Sequence, residues 1–172
     1  GLDSVDLMRR RYPAAWIHEP FEPINIVRGQ TSPFHYCFYE TPHSMEEWVS
    51  ESRRHQAFAV RLMTSAMRRD PNINTFAIHL FIDAFPSGWM KTIMDCERKP
   101  KDAFFAYLDC LEPVFCNLRS DRLTFFGGET ASIEAFLCCD RERPPVLRYY
   151  AELEGKVIVQ GTAESRGDVY QG

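Results

Sequence analysis

Residues Ile73–Asp83 read INTFAIHLFID, and the placement of this run decides the fold. It is too apolar for an amphipathic surface strand. It reads as a strand buried on both faces, the habit of parallel sheets. Upstream lies the clearest helix signal in the chain. The tetrapeptide SMEE is a capping box, with Ser44 as N-cap and Glu47 at the third helical position. Met45, Trp48, Val49, Leu62, Met63 and Met67 then fall largely on one side at helical spacing. Arg68 and Arg69 suit the negative end of the helix dipole, and Asp70-Pro71-Asn72 stops it. Further upstream, AAWIHEPF contains a brief buried strand, residues 15–18, with Glu19 at its carboxyl end and Pro20 breaking the run. A helix between two buried strands is a β-α-β arrangement and predicts an α/β fold.

The flanks extend this picture. SVDLMRRRYP predicts a short amino-terminal helix with Ser4 as N-cap and three basic residues at its end. The stretch from Glu22 to Thr41 is irregular, aromatic and long for a loop, which suggests a covering or functional loop. A second helix is predicted from Lys101 to Leu111, ending before Pro113. Beyond it the pattern changes. VFCNLR, LTFF, ASIEAFLCC, VLRYYAEL and KVIVQ are strand-length pieces separated by the turn signals SD, GG, RPP and EG. They predict an antiparallel segment of a β-sandwich. The chain thus divides near Pro113, into residues 1–112 of α/β character and residues 113–172 of all-β, immunoglobulin-like character.

Composition narrows the classes. With 172 residues, 45% of them apolar, the chain can bury a core and is not of disordered type. No apolar run is long enough to cross a bilayer, so no membrane partner is expected. The net charge is −4, and the only basic block is Arg9–Arg11, which is no footprint for nucleic acid. The chain begins at Gly1 with no signal-peptide pattern, consistent with a mature, excised or recombinant fragment. The six cysteines form no C-x-x-C pair and have no histidine at metal spacing. Several sit in apolar runs, as small buried groups in a reducing, cytoplasmic compartment would; a disulfide framework is the other reading.

Two carboxylates stand where α/β proteins place reactive groups, at the ends of predicted strands: Glu19 and Asp83. Each has a plainer reading. Glu19 can be an ordinary strand-end carboxylate in solvent, and Asp83 a loop cap bonding amides of the next turn. Aromatics follow both: Phe21, Phe34 and Tyr36, then Phe85 and Trp89. Sugar rings have apolar faces that stack on aromatics and hydroxyls that need carboxylates, although most such rings simply pack in a core. His18 and His79 lie on the predicted strands, where a lone histidine is often a satisfied interior group. No serine–histidine–aspartate motif, dinucleotide fingerprint or phosphate loop is present.

The segments RRHQAFAVRLMTSAMRRDPNIN, HLFIDAFP, WMKTIMDCERKPKDAFFAY and LEPVFCNLRSDRLTFFGGE, in that order and spacing, resemble glycoside hydrolase family 2, the β-mannosidase, β-galactosidase and β-glucuronidase group. The resemblance runs from Trp16 to Gln160 and is strongest from His55 to Glu129. It implies the last strands and helices of a (β/α)8 TIM barrel followed by the start of a β-sandwich. It also implies cofactor-free hydrolysis of terminal β-linked sugars with retention. In that chemistry one carboxylate attacks the anomeric carbon and a second, about 5–5.5 Å away, serves as acid and base. AAWIHEPF takes the place of the family's nucleophile strand, so Glu19 matches the nucleophile; His18, His79, Asp83, Phe85 and Trp89 match the substrate pocket. His79 stands where the family carries tryptophan, Ile82 where it carries asparagine, and Pro20 where it carries an aromatic residue. A whole barrel takes about 250 residues. The implied partners are therefore a carbohydrate and the remaining barrel segments, in the same polypeptide or another chain, which would bring the acid/base carboxylate. Two alternatives stand beside this: a non-catalytic carbohydrate-binding or interaction module with a degenerate sugar site, and an unrelated small α+β enzyme around His18, Glu19 and His79.

Overall fold

The computed structural model of the chain describes residues 1–11, 40, 42–85, 91–140 and 146–164. They fall into two compact units, Gly1–Met67 with Thr75–Leu111, and Arg68–Asn74 with Glu112–Gly172.

The first unit is helical. Helix α1, Val5–Arg11, begins at Ser4, whose hydroxyl accepts the Leu7 amide at 3.1 Å. It buries Leu7 and Met8 completely, each worth about 1.5–3 kcal/mol. Helix α2, Met45–Arg69, starts where the capping box predicts. The Ser44 hydroxyl accepts the Glu47 amide at 3.1 Å, and the Glu47 carboxylate accepts the His43 amide at 2.7 Å. Its first turns bury a stripe of Met45, Trp48, Val49 and Ser52, and Thr64 and Ser65 are buried further along. The amino-terminal segment is pinned against this stripe: the Leu2 amide donates to Ser52 Oγ, and Arg53 Nε donates to the Leu2 carbonyl, both at 2.9 Å. Helix α3, Asp102–Cys110, buries Ala103, Ala106 and Cys110. Between them, residues 93–101 form a loop closed around Asp95, whose Oδ1 accepts the Glu97 and Lys99 amides at 2.9 Å.

The run Ile73–Asp83 departs from expectation. It carries no strand; its one pairing among the described residues is a parallel bridge between Ile82 and Met94. Burial alternates along it. Phe76, Ile78 and Leu80 are half-buried, whereas Ala77, His79 and Phe81 are exposed. One covered face does not make the doubly buried strand that its apolar composition suggested.

The second unit holds two antiparallel hairpins. Strand β1, Val114–Ser120, pairs with β2, Ile133–Cys139, in register from Val114 opposite Cys139 to Ser120 opposite Ile133. Strand β3, Val146–Leu153, pairs with β4, Lys156–Glu164, with an irregularity at Ala151/Glu152. Glu154 and Gly155 both have positive φ, 51° and 76°, the geometry of a two-residue hairpin turn. Asn117 is buried and donates to Cys138 Sγ at 3.6 Å, while Arg69 donates to its Oδ1. Arg68 donates to the Glu112 carbonyl at 2.7 Å and to Asp140 at 2.8 Å, and lies over Phe115.

The (β/α)8 barrel and sandwich reading is therefore corrected. The strands among the described residues form two separate two-stranded antiparallel sheets, and a barrel end would need parallel strands alternating with helices. A sandwich needs two sheets each with a covered face. Here β3 has no buried residue. The segment LTFF is not a strand either: it enters a turn in which Glu129 accepts the Phe126 amide at 2.7 Å and Gly128 has φ 87°. The described cysteines, Cys96, Cys110, Cys116, Cys138 and Cys139, are free thiols.

Candidate functional site

Of the residues singled out in the sequence, His18, Glu19 and Trp89 lie outside the described residues. His79, Asp83 and Phe85 are described, and they occupy different surroundings in the first unit. Phe85 is 62% exposed, two residues after Asp83, which is 6% exposed. Asp83 is held from elsewhere in the chain. Its Oδ2 accepts the Thr92 hydroxyl at 2.9 Å and lies 3.7 Å from the Lys101 ammonium.

Lys101 is the centre of this cluster. It is fully buried. Its Nζ lies 2.8 Å from Thr92 Oγ1, 2.9 Å from the Gly1 carbonyl and 3.1 Å from Asp3 Oδ1, with Asp83 slightly beyond. The ammonium donates hydrogen bonds to Thr92 and the Gly1 carbonyl, and Asp3 Oδ1 faces it as an ion pair. Thr92 links cation and anion, accepting from Lys101 and donating to Asp83. One buried cation thereby ties together segments around residues 1–3, 83, 92 and 101. Ion pairs so deep gain their strength from lost alternatives: with one partner removed, the other remains charged and buried.

Sequence reasoning found Asp83 but missed Lys101, Asp3 and Thr92. A signal existed. Lys101 is the N-cap of α3 and makes no side-chain cap bond. A cation at the positive end of a helix is out of place unless something else holds it.

The second feature is a groove along α2 with a cavity volume of about 450 Å³. Ala59, Val60, Met63 and Met67 of α2 form one side, and Phe76 and Ile78 line it from the extended segment. His79 is exposed on it. His55, Gln56 and Lys91 also line it, and no aspartate or glutamate does among the described residues. Gln56 Nε2 donates to the Lys91 and Thr92 carbonyls at 2.9 and 3.0 Å, fixing the amide's orientation. Burial, with the charge of the amino-terminal group, lowers the His55 imidazole below its ordinary value, favouring the neutral ring.

On the surface, Glu97 receives Arg10 at 3.1 Å, Arg11 at 3.3 Å and Lys99 at 3.2 Å. Hydrogen bonds from Arg10 and then Lys99 pull its carboxyl down to about 2. Among the described residues no group of three or more histidine, cysteine, aspartate or glutamate side chains is placed to hold a metal ion. No described helix is long and apolar enough to cross a membrane. Compared with protein-family models, curated proteins and solved structures, the chain gives no match.

Proposed function

We propose that this chain is a portion of a retaining β-glycosidase acting on terminal β-linked sugars, and that turnover requires further protein supplying the acid/base carboxylate. The observation that carries the reading is the pinned end of the extended segment. Asp83 is locked by Thr92 and Lys101, and Phe85 is presented to solvent just beyond it. An aromatic ring beside a fixed backbone suits the apolar face of a sugar. The ordered motif resemblance supports the same reading. Within it Glu19 is the nucleophile, and His18, His79, Phe85 and Trp89 contact substrate. Asp83, with its carboxylate engaged, positions the loop. No cofactor enters the chemistry, because both steps run on carboxylates.

The test is a panel of aryl β-glycosides given to the complete protein. Hydrolysis of one of them with retained anomeric configuration is expected, and Glu19→Gln should lower its rate by at least about a thousandfold. Failure on every glycoside, or a Glu19→Gln variant of undiminished rate, would reject the reading.

A second reading has an observation in its favour. Asp83 is occupied, and the groove carries no carboxylate among the described residues. That suits a non-catalytic carbohydrate-binding or interaction module. Sugar binding without turnover by the complete protein separates the two.

A further inference from the structure

The groove along α2 is not used by the glycosidase reading beyond His79, and its lining is sorted along its length. Ser52, His55 and Gln56 stand toward the amino-terminal part of the α2 stripe, and Lys91 is tied to that part through Gln56. Ala59, Val60, Met63 and Met67 continue the stripe without a polar group apart from Thr64. From Ser52 to Met67 the stripe is about 22 Å long at the α-helical rise. Phe76 and Ile78 add apolar lining. The cavity, about 450 Å³, falls within the size range of small-molecule sites, which combine an apolar lining with a few placed polar groups. The charge is one-sided: Lys91 is exposed in the lining, His55 and His79 accompany it, and no acid does among the described residues.

We propose that this groove binds an amphipathic anion, a straight-chain carboxylate. Its alkyl chain lies along Ala59, Val60, Met63 and Met67, and its head group meets Lys91 at the Gln56 end. The apolar wall removes the chain from water, and this term dominates affinity. The lysine sets which head group is accepted, because an ammonium in the same place would face a like charge. His55, which lines the same end of the groove, offers a ring nitrogen to the head group. The site stands independently of the glycosidase reading and is tested without glycoside turnover, so either can fail while the other survives.

The experiment is calorimetric titration of the complete protein with dodecanoate, dodecylamine and dodecanol, each below its aggregation limit. One dodecanoate is expected to bind with micromolar affinity, at least tenfold tighter than dodecylamine. Lys91→Glu is a surface change expected to leave the circular dichroism spectrum unaltered. It should weaken dodecanoate at least tenfold and leave dodecanol within twofold. Ala59→Phe, which fills the wall, should weaken all three while α2 stays helical. Absence of dodecanoate binding, equal affinity for the amine, or equal weakening of all three by Lys91→Glu overturns the proposal.

Discussion

Lys101→Met removes one charge from a fully buried cluster of the first unit while keeping the side chain's length. The ammonium and the Asp3 carboxylate are fully buried, and the Asp83 side chain is 4% exposed. The variant leaves two carboxylates in that setting without their common cation. It also leaves the Gly1 carbonyl and the Thr92 hydroxyl without the donor that reaches them at 2.9 and 2.8 Å. Breaking a buried pair from one side costs about 3–5 kcal/mol. The neighbouring Lys99→Met is the control: Lys99 is 63% exposed in its pair with Glu97, and such pairs are worth about 0–1 kcal/mol. Urea unfolding followed by helical circular dichroism measures both. Adding Asp83→Asn to Lys101→Met removes one of the stranded charges, so the double variant should be more stable than the sum of the singles by about 1–3 kcal/mol. A Lys101→Met variant within about 1 kcal/mol of the parent, or strict additivity in the cycle, refutes the idea that this cation organises the unit.

Other outcomes follow from the same geometry. Ser44→Ala removes the α2 cap and should cost about 1 kcal/mol in thermal unfolding, with Glu47→Ala costing less when combined with it than alone. Asn117→Ala strips the buried amide between Arg69 and Cys138 and should destabilise the β1–β2 hairpin by about 1–3 kcal/mol, read by hydrogen exchange of its amides. Gly155→Ala places a side chain at φ 76° and should cost about 1–2 kcal/mol in the β3–β4 hairpin, read the same way. Acid should weaken the fold through Glu97. Its carboxyl is depressed in the folded chain from 4.5 to about 2, so its contribution is complete above about pH 4.5 and is lost as pH falls toward 2. Glu97→Gln should flatten that part of a stability-against-pH curve, and an unchanged curve contradicts the assignment.

The helices were legible because their signals are local. Ser4, and Ser44 with Glu47, cap as their spacing implies, and the turn at Glu154-Gly155 joins the strand-length pieces VLRYYAEL and KVIVQ where the EG turn signal stands. The run Ile73–Asp83 was misread because an apolar stretch does not reveal how many neighbours cover it. Phe81 and Ile82 are 47% and 37% exposed, and only Met94 bridges the segment among the described residues. Phe125 and Phe126 likewise have strand composition, but Gly127, Gly128 and the Glu129 side chain turn the backbone there. Asp83 was visible as an acid at the end of an apolar run. Its partner was not, because Lys101 and Asp3 meet only through tertiary folding across a separation of nearly the whole first unit. The misplaced charge at the start of α3 was the trace that this contact left in the sequence.

The central functional claim rests on Glu19 as a nucleophile. Treating the complete protein with a panel of 2-deoxy-2-fluoro glycosides, then mapping any labelled peptide by mass, tests it most directly. The expected result is a single glycosyl adduct on Glu19, with turnover lost in step with labelling. An adduct on any other carboxylate, or full activity surviving without an adduct, contradicts it.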